Sequence, residues 1–174
     1  GLVLASTGNM GASEAAGMTI IGKKAHIFLP ESTHQWKIAK IEKYGGKVHT
    51  VKGNYDHAVL QARDFVQRNK QFIYGGETVL RLCGNTLLAK IIVDIMDDYP
   101  DFLFIPVGDG AQYYGFVLGF TYLIEKDYLN SRKRFPKVIG IQADGANPIY
   151  RSFRDQSGLI RPIVPKTSAD AIAI

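Results

Sequence analysis

The chain has 174 residues and a mass of 19.2 kDa, and its 46% hydrophobic and 21% charged residues are typical of a globular domain rather than a disordered or fibrous chain. The single Cys83 excludes an internal disulfide and a multi-cysteine metal site, and the net charge of +5 is too scattered to indicate nucleic-acid binding. No apolar run reaches the roughly 20 residues of a membrane span, and the start lacks a signal-peptide pattern, so we expect a cytoplasmic protein.

The first 68 residues alternate between short apolar runs and segments of helical period. Strands are predicted at residues 2–5, 25–29 and 48–51, and helices at about 10–22, 38–44 and 55–68. Strands that are separated by helices must cross over to pair in parallel. The pattern therefore predicts an α/β fold with open, mostly parallel sheets that helices cover on both faces.

The pattern weakens between residues 69 and 84, where Gly75, Gly76 and Gly84 interrupt it. We place a domain crossing there, which gives a smaller α/β domain at 1–68 and part of a larger one at 69–174. The second part predicts helices at 87–96, 111–126 and 149–153, strands at 102–107 and 138–142, and a turn-rich segment at 143–148. Residues 167–171 resemble the start of a helix.

Residues 107–112 form a glycine-rich turn between the most hydrophobic strand and a helix. Free N–H groups at a helix start attract phosphate, and glycines at 108 and 110 let the backbone approach a ligand. The alternative is a tight turn in which Asp109 caps the helix. The glycine spacing does not match a dinucleotide-binding fingerprint, and the chain contains no P-loop sequence.

A second turn, at residues 6–11, also leads from a strand into a helix and carries two hydroxyls and an amide. It could be a binding turn or only a capping turn.

Other candidate residues carry weaker signals. His26 and His49 fall in predicted strands and His34 and His57 near helix starts, and none has a metal-ligand spacing. Cys83 has no evident base beside it. Arg81, in a loop bounded by glycines, either binds an anionic substrate or lies on the surface. The basic stretch at 126–137, centred on 131–134, is predicted to be a solvated loop.

Three segments together resemble the threonine synthases in sequence and order. They are residues 5–13, 106–110 and 140–148, and weaker similarities at 45–48, 53–58 and 167–172 extend the resemblance from end to end. The resemblance implies a two-domain pyridoxal phosphate enzyme of fold type II, related to the tryptophan synthase beta chain and incomplete at both ends in this sequence. It further implies a homodimer that acts on a small amino-acid phosphate.

The resemblance also assigns roles to residues. It implies that Asn9 contacts the phenolic oxygen of pyridoxal 5′-phosphate, and that Arg81 helps to bind the substrate phosphate. The residues implied to lie near the substrate carboxylate are Ser6, Thr7 and Gly8, and those implied to hold the cofactor phosphate are Gly108, Asp109, Gly110, Ala111 and Gln112.

The sequence departs from the family pattern at several points. The lysine that forms the Schiff base belongs to a segment N-terminal to Ser6, so we expect it before Gly1, and we expect this chain alone to be inactive. The residue that contacts the pyridine nitrogen is expected beyond Ile174. Cys83 replaces a glutamate, and Gly75 and Gly76 lie where threonine synthases offer small polar groups to the substrate phosphate.

Three hypotheses follow from the sequence. The first is a threonine synthase-like lyase that converts O-phospho-L-homoserine and water to L-threonine and phosphate. The second is a related β-replacement or elimination enzyme acting on serine, threonine or phosphoserine, as cysteate synthase does. The third is a non-catalytic module that binds a phosphorylated ligand or a partner. We expect no metal, nucleic-acid or membrane partner.

Overall fold

The computed structural model describes residues 1–76, 78–129 and 134–173, and the chain divides into two compact units, Gly1–Thr78 and Val79–Ile174. Both units alternate strands and helices, as the sequence predicts. The division falls within residues 69–84, where the sequence pattern weakens, and it comes after residue 68 because a short strand at 73–74 pairs within the first unit.

The first unit is built on a four-stranded parallel sheet. Its strands are β1 (Leu2–Ala5), β2 (Ala25–Pro30), β3 (Lys47–Val51) and β4 (Ile73–Tyr74), in the order β3-β2-β1-β4. The helices α1 (Asn9–Ile20), α2 (Gln35–Lys43) and α3 (Tyr55–Arg68) alternate with these strands. The sequence does not predict β4, because a two-residue strand is too short to show a period.

Alternation along β1 directs side chains to both faces of this sheet. Leu2 and Leu4 pack into a cluster with α1 and α2, whereas Val3 and Ala5 pack into a second cluster with α3. All four residues of β1 are buried, as expected for a central strand of a parallel sheet. The predicted coverage on both faces is confirmed for this unit.

The second unit has a parallel pair of strands, β5 (Phe102–Pro106) and β6 (Lys137–Ile141). Its helices are α4 (Val79–Met96), α5 (Ala111–Glu125) and α6 (Pro148–Arg154), and Asp170–Ile172 form a 3-10 turn where the sequence resembles a helix start. Helix α4 begins at Val79 rather than near Leu87, because apolar residues lie on all its faces and conceal the helical period.

Helices α4 and α5 cover one face of the β5–β6 pair. Ile105 of β5 packs with Phe116 and Phe120 of α5 and with Val93 of α4. On the other face of this pair, Phe104 is exposed. Among the described residues, the hydrophobic core of the second unit therefore lies on one side of its sheet.

The two long helices of this unit approach closely at two glycines. A Cβ atom at Gly115 would overlap the Cβ of Asn85, and one at Gly119 would lie 2.5 Å from the carbonyl oxygen of Thr86. Since residue numbers rise together along both helices, α4 and α5 run side by side in the same direction. Their N-termini therefore lie next to each other.

Two further sequence predictions concern membrane spans and the basic stretch at 126–137. None of the described helices is both long and apolar enough to cross a bilayer. Residues 131–133, the centre of the predicted basic loop, lie outside the described residues, and Arg134 beside them forms an ion pair of 2.8 Å with Asp101.

Candidate functional site

The turn between β1 and α1 is organised by the side chain of Ser6. Ser6 is buried, and its Oγ accepts hydrogen bonds from the backbone N–H of Gly11 at 3.0 Å and of Gly8 at 3.4 Å. Two of the unpaired N–H groups around the start of α1 are thereby satisfied. Ser6 thus supports the turn, and its hydroxyl proton remains available for donation.

Asn9 is the first residue of α1, and its side chain is exposed. Its Oδ1 accepts a hydrogen bond of 2.9 Å from Nζ of Lys40 on α2. This contact orients the side-chain amide of Asn9. Because its oxygen points toward Lys40, its NH₂ group points away from Lys40. No sequence pattern indicates Lys40, because it lies far from Asn9 along the chain and meets it only through the packing of α2 against α1.

Residues 107–112 form the turn between β5 and α5. Val107 extends the strand pairing by donating to the carbonyl of Ile141 at 2.7 Å. Gly110 then adopts a left-handed conformation with φ +83° and precedes the first residue of α5. An L side chain is strained at this φ, so glycine suits the turn.

Asp109 turns its carboxylate back onto this loop. Its Oδ1 accepts a hydrogen bond of 3.0 Å from the backbone N–H of Ala111, the capping contact that the sequence offered as the alternative to a phosphate site. Its Oδ2 lies 2.7 Å from Nη1 of Arg81. The side chains of Arg81 and Asp109 are 27% and 41% exposed, so the ion pair is only partly solvated.

The location of Arg81 differs from the sequence prediction. The glycine-bounded loop expected there is the first turn of α4, since the helix begins at Val79. Arg81 therefore occupies a fixed position on a helix whose start adjoins that of α5, and it faces the carboxylate of Asp109.

A cleft of about 680 Å³ opens beside this loop. One wall is formed by Val107, Gly110 and Tyr113, and another by Gln142 and Tyr150. The cleft lies at the carboxyl ends of two parallel strands, the edge at which open α/β sheets bind ligands.

Gln142 connects the walls of the cleft. Its Nε2 donates to the carbonyl of Val107 at 3.3 Å, and its Oε1 accepts from the backbone N–H of Tyr150 at 2.9 Å. Gln142 is not among the binding residues predicted from the sequence. Its position immediately after a strand that neighbours β5 is the signal that could have found it, because the carboxyl ends of parallel strands share one edge.

Residues 1–174 match the model of one protein family, which is described as pyridoxal-phosphate dependent enzyme. The chain belongs to this pyridoxal-phosphate dependent family. Pyridoxal phosphate is therefore its cofactor type, and the parallel α/β units agree with fold type II, as the sequence predicts.

Within this family, the chain is similar to known threonine synthases. It is 36% identical to the threonine synthase of Methanocaldococcus jannaschii over 98% of this chain and 42% of that protein. It is 30% identical to the threonine synthase of a Synechocystis species over 99% of this chain and 43% of that protein. The chain thus spans less than half the length of these relatives.

Solved structures of the family share the fold of this chain. The processed form of threonine deaminase isoform 2 from Solanum lycopersicum matches with a TM-score of 0.82 at 24% identity, over 100% of this chain and 48% of that one. A maize serine racemase matches with a TM-score of 0.79 at 18% identity, over 99% and 50%. At these identities the likeness concerns the fold.

The loop at 108–112 fits the phosphate of a family cofactor. A Cβ at Gly110 would meet no atom within 4 Å, so the start of α5 has open space beside it. Backbone N–H groups at a helix start carry partial positive charge and bind phosphate without a side-chain cation. The turn at Asn9 fits the ring, since a neutral amide donates to a phenolic oxygen without taking a proton from it.

The four histidines of the chain all belong to the first unit. His49 Nε2 and His26 Nδ1 are 3.0 Å apart within an aromatic cluster that includes Phe28 and Phe65. Burial, and then the charges of His49, Lys47 and Lys24, lower the pKa of His26 to about 4. Burial, followed by the charge of Lys47, also lowers the pKa of His49.

His34 precedes α2, and His57 belongs to a capping box with Asn54 at the start of α3. Cys83 is exposed on α4. Within the part of the chain that the structure describes, no three histidine, cysteine or acidic residues are grouped to hold a metal ion.

Proposed function

We propose that the protein to which this chain belongs is a threonine synthase-like lyase, which converts O-phospho-L-homoserine and water to L-threonine and phosphate. The observation that carries the proposal is the 36% identity to a threonine synthase across 98% of the chain. The polar turn at residues 6–9 and the glycine-rich loop at 108–112 lie within this matched region and fit the cofactor chemically.

The proposed roles follow from the contacts of each residue. Asn9, held through its oxygen by Lys40, donates its amide N–H to the phenolic oxygen of the cofactor. The backbone N–H groups of residues 108–112 that Asp109 does not engage hold the cofactor phosphate. When bound, pyridoxal phosphate withdraws electrons from the reacting carbons of an amino-acid substrate.

The substrate carboxylate is proposed to bind at Ser6, Thr7 and Gly8. The hydroxyl of Ser6 already accepts two backbone N–H groups, so it can act toward an anion only as a donor. Gly8 has open space on the side where a Cβ would stand, which gives a carboxylate access to the backbone. Thr7 supplies a second hydroxyl from a half-buried position.

The second candidate, β-replacement or elimination on a serine-like substrate, is favoured by the surroundings of Gly75. This residue is buried, its N–H donates to the carbonyl of Val3 at 2.8 Å, and an added Cβ would lie 2.7 Å from Cδ1 of Leu2. A small polar side chain at position 75 would therefore require the side chain of Leu2 to move. Threonine synthases are expected to offer such groups to the substrate phosphate at about this point in the sequence.

The deciding experiment incubates the full-length protein and pyridoxal phosphate with O-phospho-L-homoserine, and measures threonine and phosphate release. Formation of both in equal amounts is expected. O-phospho-L-serine with sulfite is the parallel assay for the second candidate. If O-phospho-L-serine and sulfite yield product while O-phospho-L-homoserine yields no threonine, the second candidate is established and the first is rejected.

We also propose a homodimer that resides in the cytoplasm. Light scattering on the purified full-length protein, giving twice the monomer mass, is the expected result for the dimer. A monomer mass across micromolar concentrations would contradict it.

A further inference from the structure

The loop proposed to bind the cofactor phosphate contains a carboxylate of its own. Asp109 lies between Gly108 and Gly110, and its side chain is partly exposed. A carboxylate this close to a phosphate dianion weakens binding through like-charge repulsion, unless a cation neutralises it or the side chain turns away. Both conditions are met here, because Asp109 contacts the N–H of Ala111 with one oxygen and Arg81 with the other.

We infer that Arg81 is a positioning residue of the phosphate-binding loop. It holds the carboxylate of Asp109 away from the remaining backbone N–H groups and balances its charge, so that residues 108–112 can accept a phosphate. This inference rests on the proposed function, since it concerns the same phosphate site. It assigns Arg81 a role different from the direct contact with the substrate phosphate that family resemblance implies.

The helix packing supports this role. Arg81 lies in the first turn of α4, and Asp109 lies just before α5. The close approach of Asn85 to Gly115 fixes the two helix starts beside each other. The Arg81 side chain thus reaches the loop from a rigid element, and its 2.7 Å contact with Asp109 needs no movement of the backbone.

The charge balance between Arg81 and Asp109 also supports the positioning role of Arg81. An arginine paired with a carboxylate has no net charge to offer to a second anion, whereas an uncompensated carboxylate in the loop repels phosphate. Arg81 therefore affects phosphate binding mainly through Asp109. Removing the carboxylate should consequently remove most of the need for the arginine.

The test compares the affinities of pyridoxal 5′-phosphate and pyridoxal for the full-length apoprotein by equilibrium dialysis. The affinity for pyridoxal 5′-phosphate divided by the affinity for pyridoxal gives a ratio that isolates the contribution of the phosphate. Arg81→Met should lower the ratio about tenfold and leave pyridoxal binding unchanged, because the unpaired carboxylate repels only the phosphate. Asp109→Asn in the Arg81→Met background should restore the ratio to within about threefold of the starting protein.

Lys90→Met is the matched control, since it removes one positive charge from the same helix where Lys90 pairs with Asp94 rather than with the loop. Its affinity ratio should equal that of the starting protein. An equal loss in Lys90→Met and Arg81→Met would indicate a general charge effect and overturn the inference.

Two further results would also overturn it. Failure of Asp109→Asn to restore the ratio would mean that Arg81 contacts the phosphate directly, and loss of pyridoxal binding in Arg81→Met would mean a general structural role. If Arg81→Met alone does not fold, the double variant still decides, because the inference requires it to bind pyridoxal phosphate almost normally. If the starting protein does not prefer pyridoxal phosphate to pyridoxal, the proposed phosphate site itself fails.

Discussion

The ammonium group of Lys40 donates a hydrogen bond of 2.9 Å to Oδ1 of Asn9, linking the last turn of α2 to the first residue of α1. The oxygen of a side-chain amide accepts hydrogen bonds and its NH₂ group donates them. Because Lys40 occupies the oxygen of Asn9, the NH₂ group remains available. The proposed role of Asn9 as a donor to the cofactor therefore depends on a residue of a neighbouring helix.

Lys40→Met should weaken binding of pyridoxal phosphate to the full-length apoprotein by about two- to tenfold, which corresponds to one hydrogen bond. The amide of Asn9 would lose the contact that orients it, although the packing of α1 would remain. Dialysis gives the affinity, and the ¹⁵N shift of the Asn9 side-chain amide reports its environment directly.

Lys43→Met, on the last turn of the same helix, is the charge-matched control and should leave both readings unchanged. An unaltered Asn9 amide signal in Lys40→Met would show that the contact does not orient the side chain.

The turn before α1 predicts different effects at adjacent hydroxyl residues. Ser6→Ala should lower the free energy of unfolding by about 1 kcal/mol, because the N–H of Gly11 loses its buried partner. Thr7→Ser keeps a hydroxyl at the neighbouring position and should change stability little. Urea denaturation of both variants checks the difference, and equal stability of Ser6→Ala and the starting protein would contradict the capping role of Ser6.

The contact between α4 and α5 makes a further prediction about stability. Gly119→Ala should destabilise the second unit by about 1–3 kcal/mol, because the new methyl group would overlap the carbonyl of Thr86 and the Cβ of Ala89. Gly84→Ala, in α4, meets no atom within 4 Å and should stabilise by about 0.5–1 kcal/mol through helix propensity. Thermal denaturation should therefore move in opposite directions for the two variants, and a shift of the same sign would refute this account of the packing.

The histidine pair in the first unit predicts a dependence of stability on pH. His26 has a pKa of 6.5 when unperturbed and about 4 in the folded chain, so the unfolded state binds more protons between these values. The stabilisation is thus complete above pH 6.5 and is lost as the pH falls toward 4. This loss should amount to about 1–2 kcal/mol.

His26→Phe should reduce that pH dependence, since phenylalanine does not titrate and its ring can pack against Phe65 and Phe72. The measurement is the free energy of unfolding in urea at pH 7, 5.5 and 4.5. His34→Gln, which changes an exposed histidine, should retain the slope of the starting protein. A slope in His26→Phe as steep as in the starting protein would exclude His26 as its source.

Much of the fold could be predicted from local patterns. The bounds of β1 and α3 agree with the sequence prediction, because β1 is a short apolar run before a turn and α3 has an apolar stripe with Asn54 at its start. The start of α4 could not be predicted in this way, since its apolar residues have no single face. Strand β4 could not be predicted either, because two residues adopt a strand only through pairing with β1.

The sequence by itself determined the alternation of strands and helices, the family and the cofactor type, because apolar spacing and short motifs are local properties. Only the tertiary structure decided that Asp109 faces Arg81 and that Asn9 accepts a hydrogen bond from Lys40. These pairs join residues distant in sequence, and their distances depend on how helices pack rather than on any local pattern.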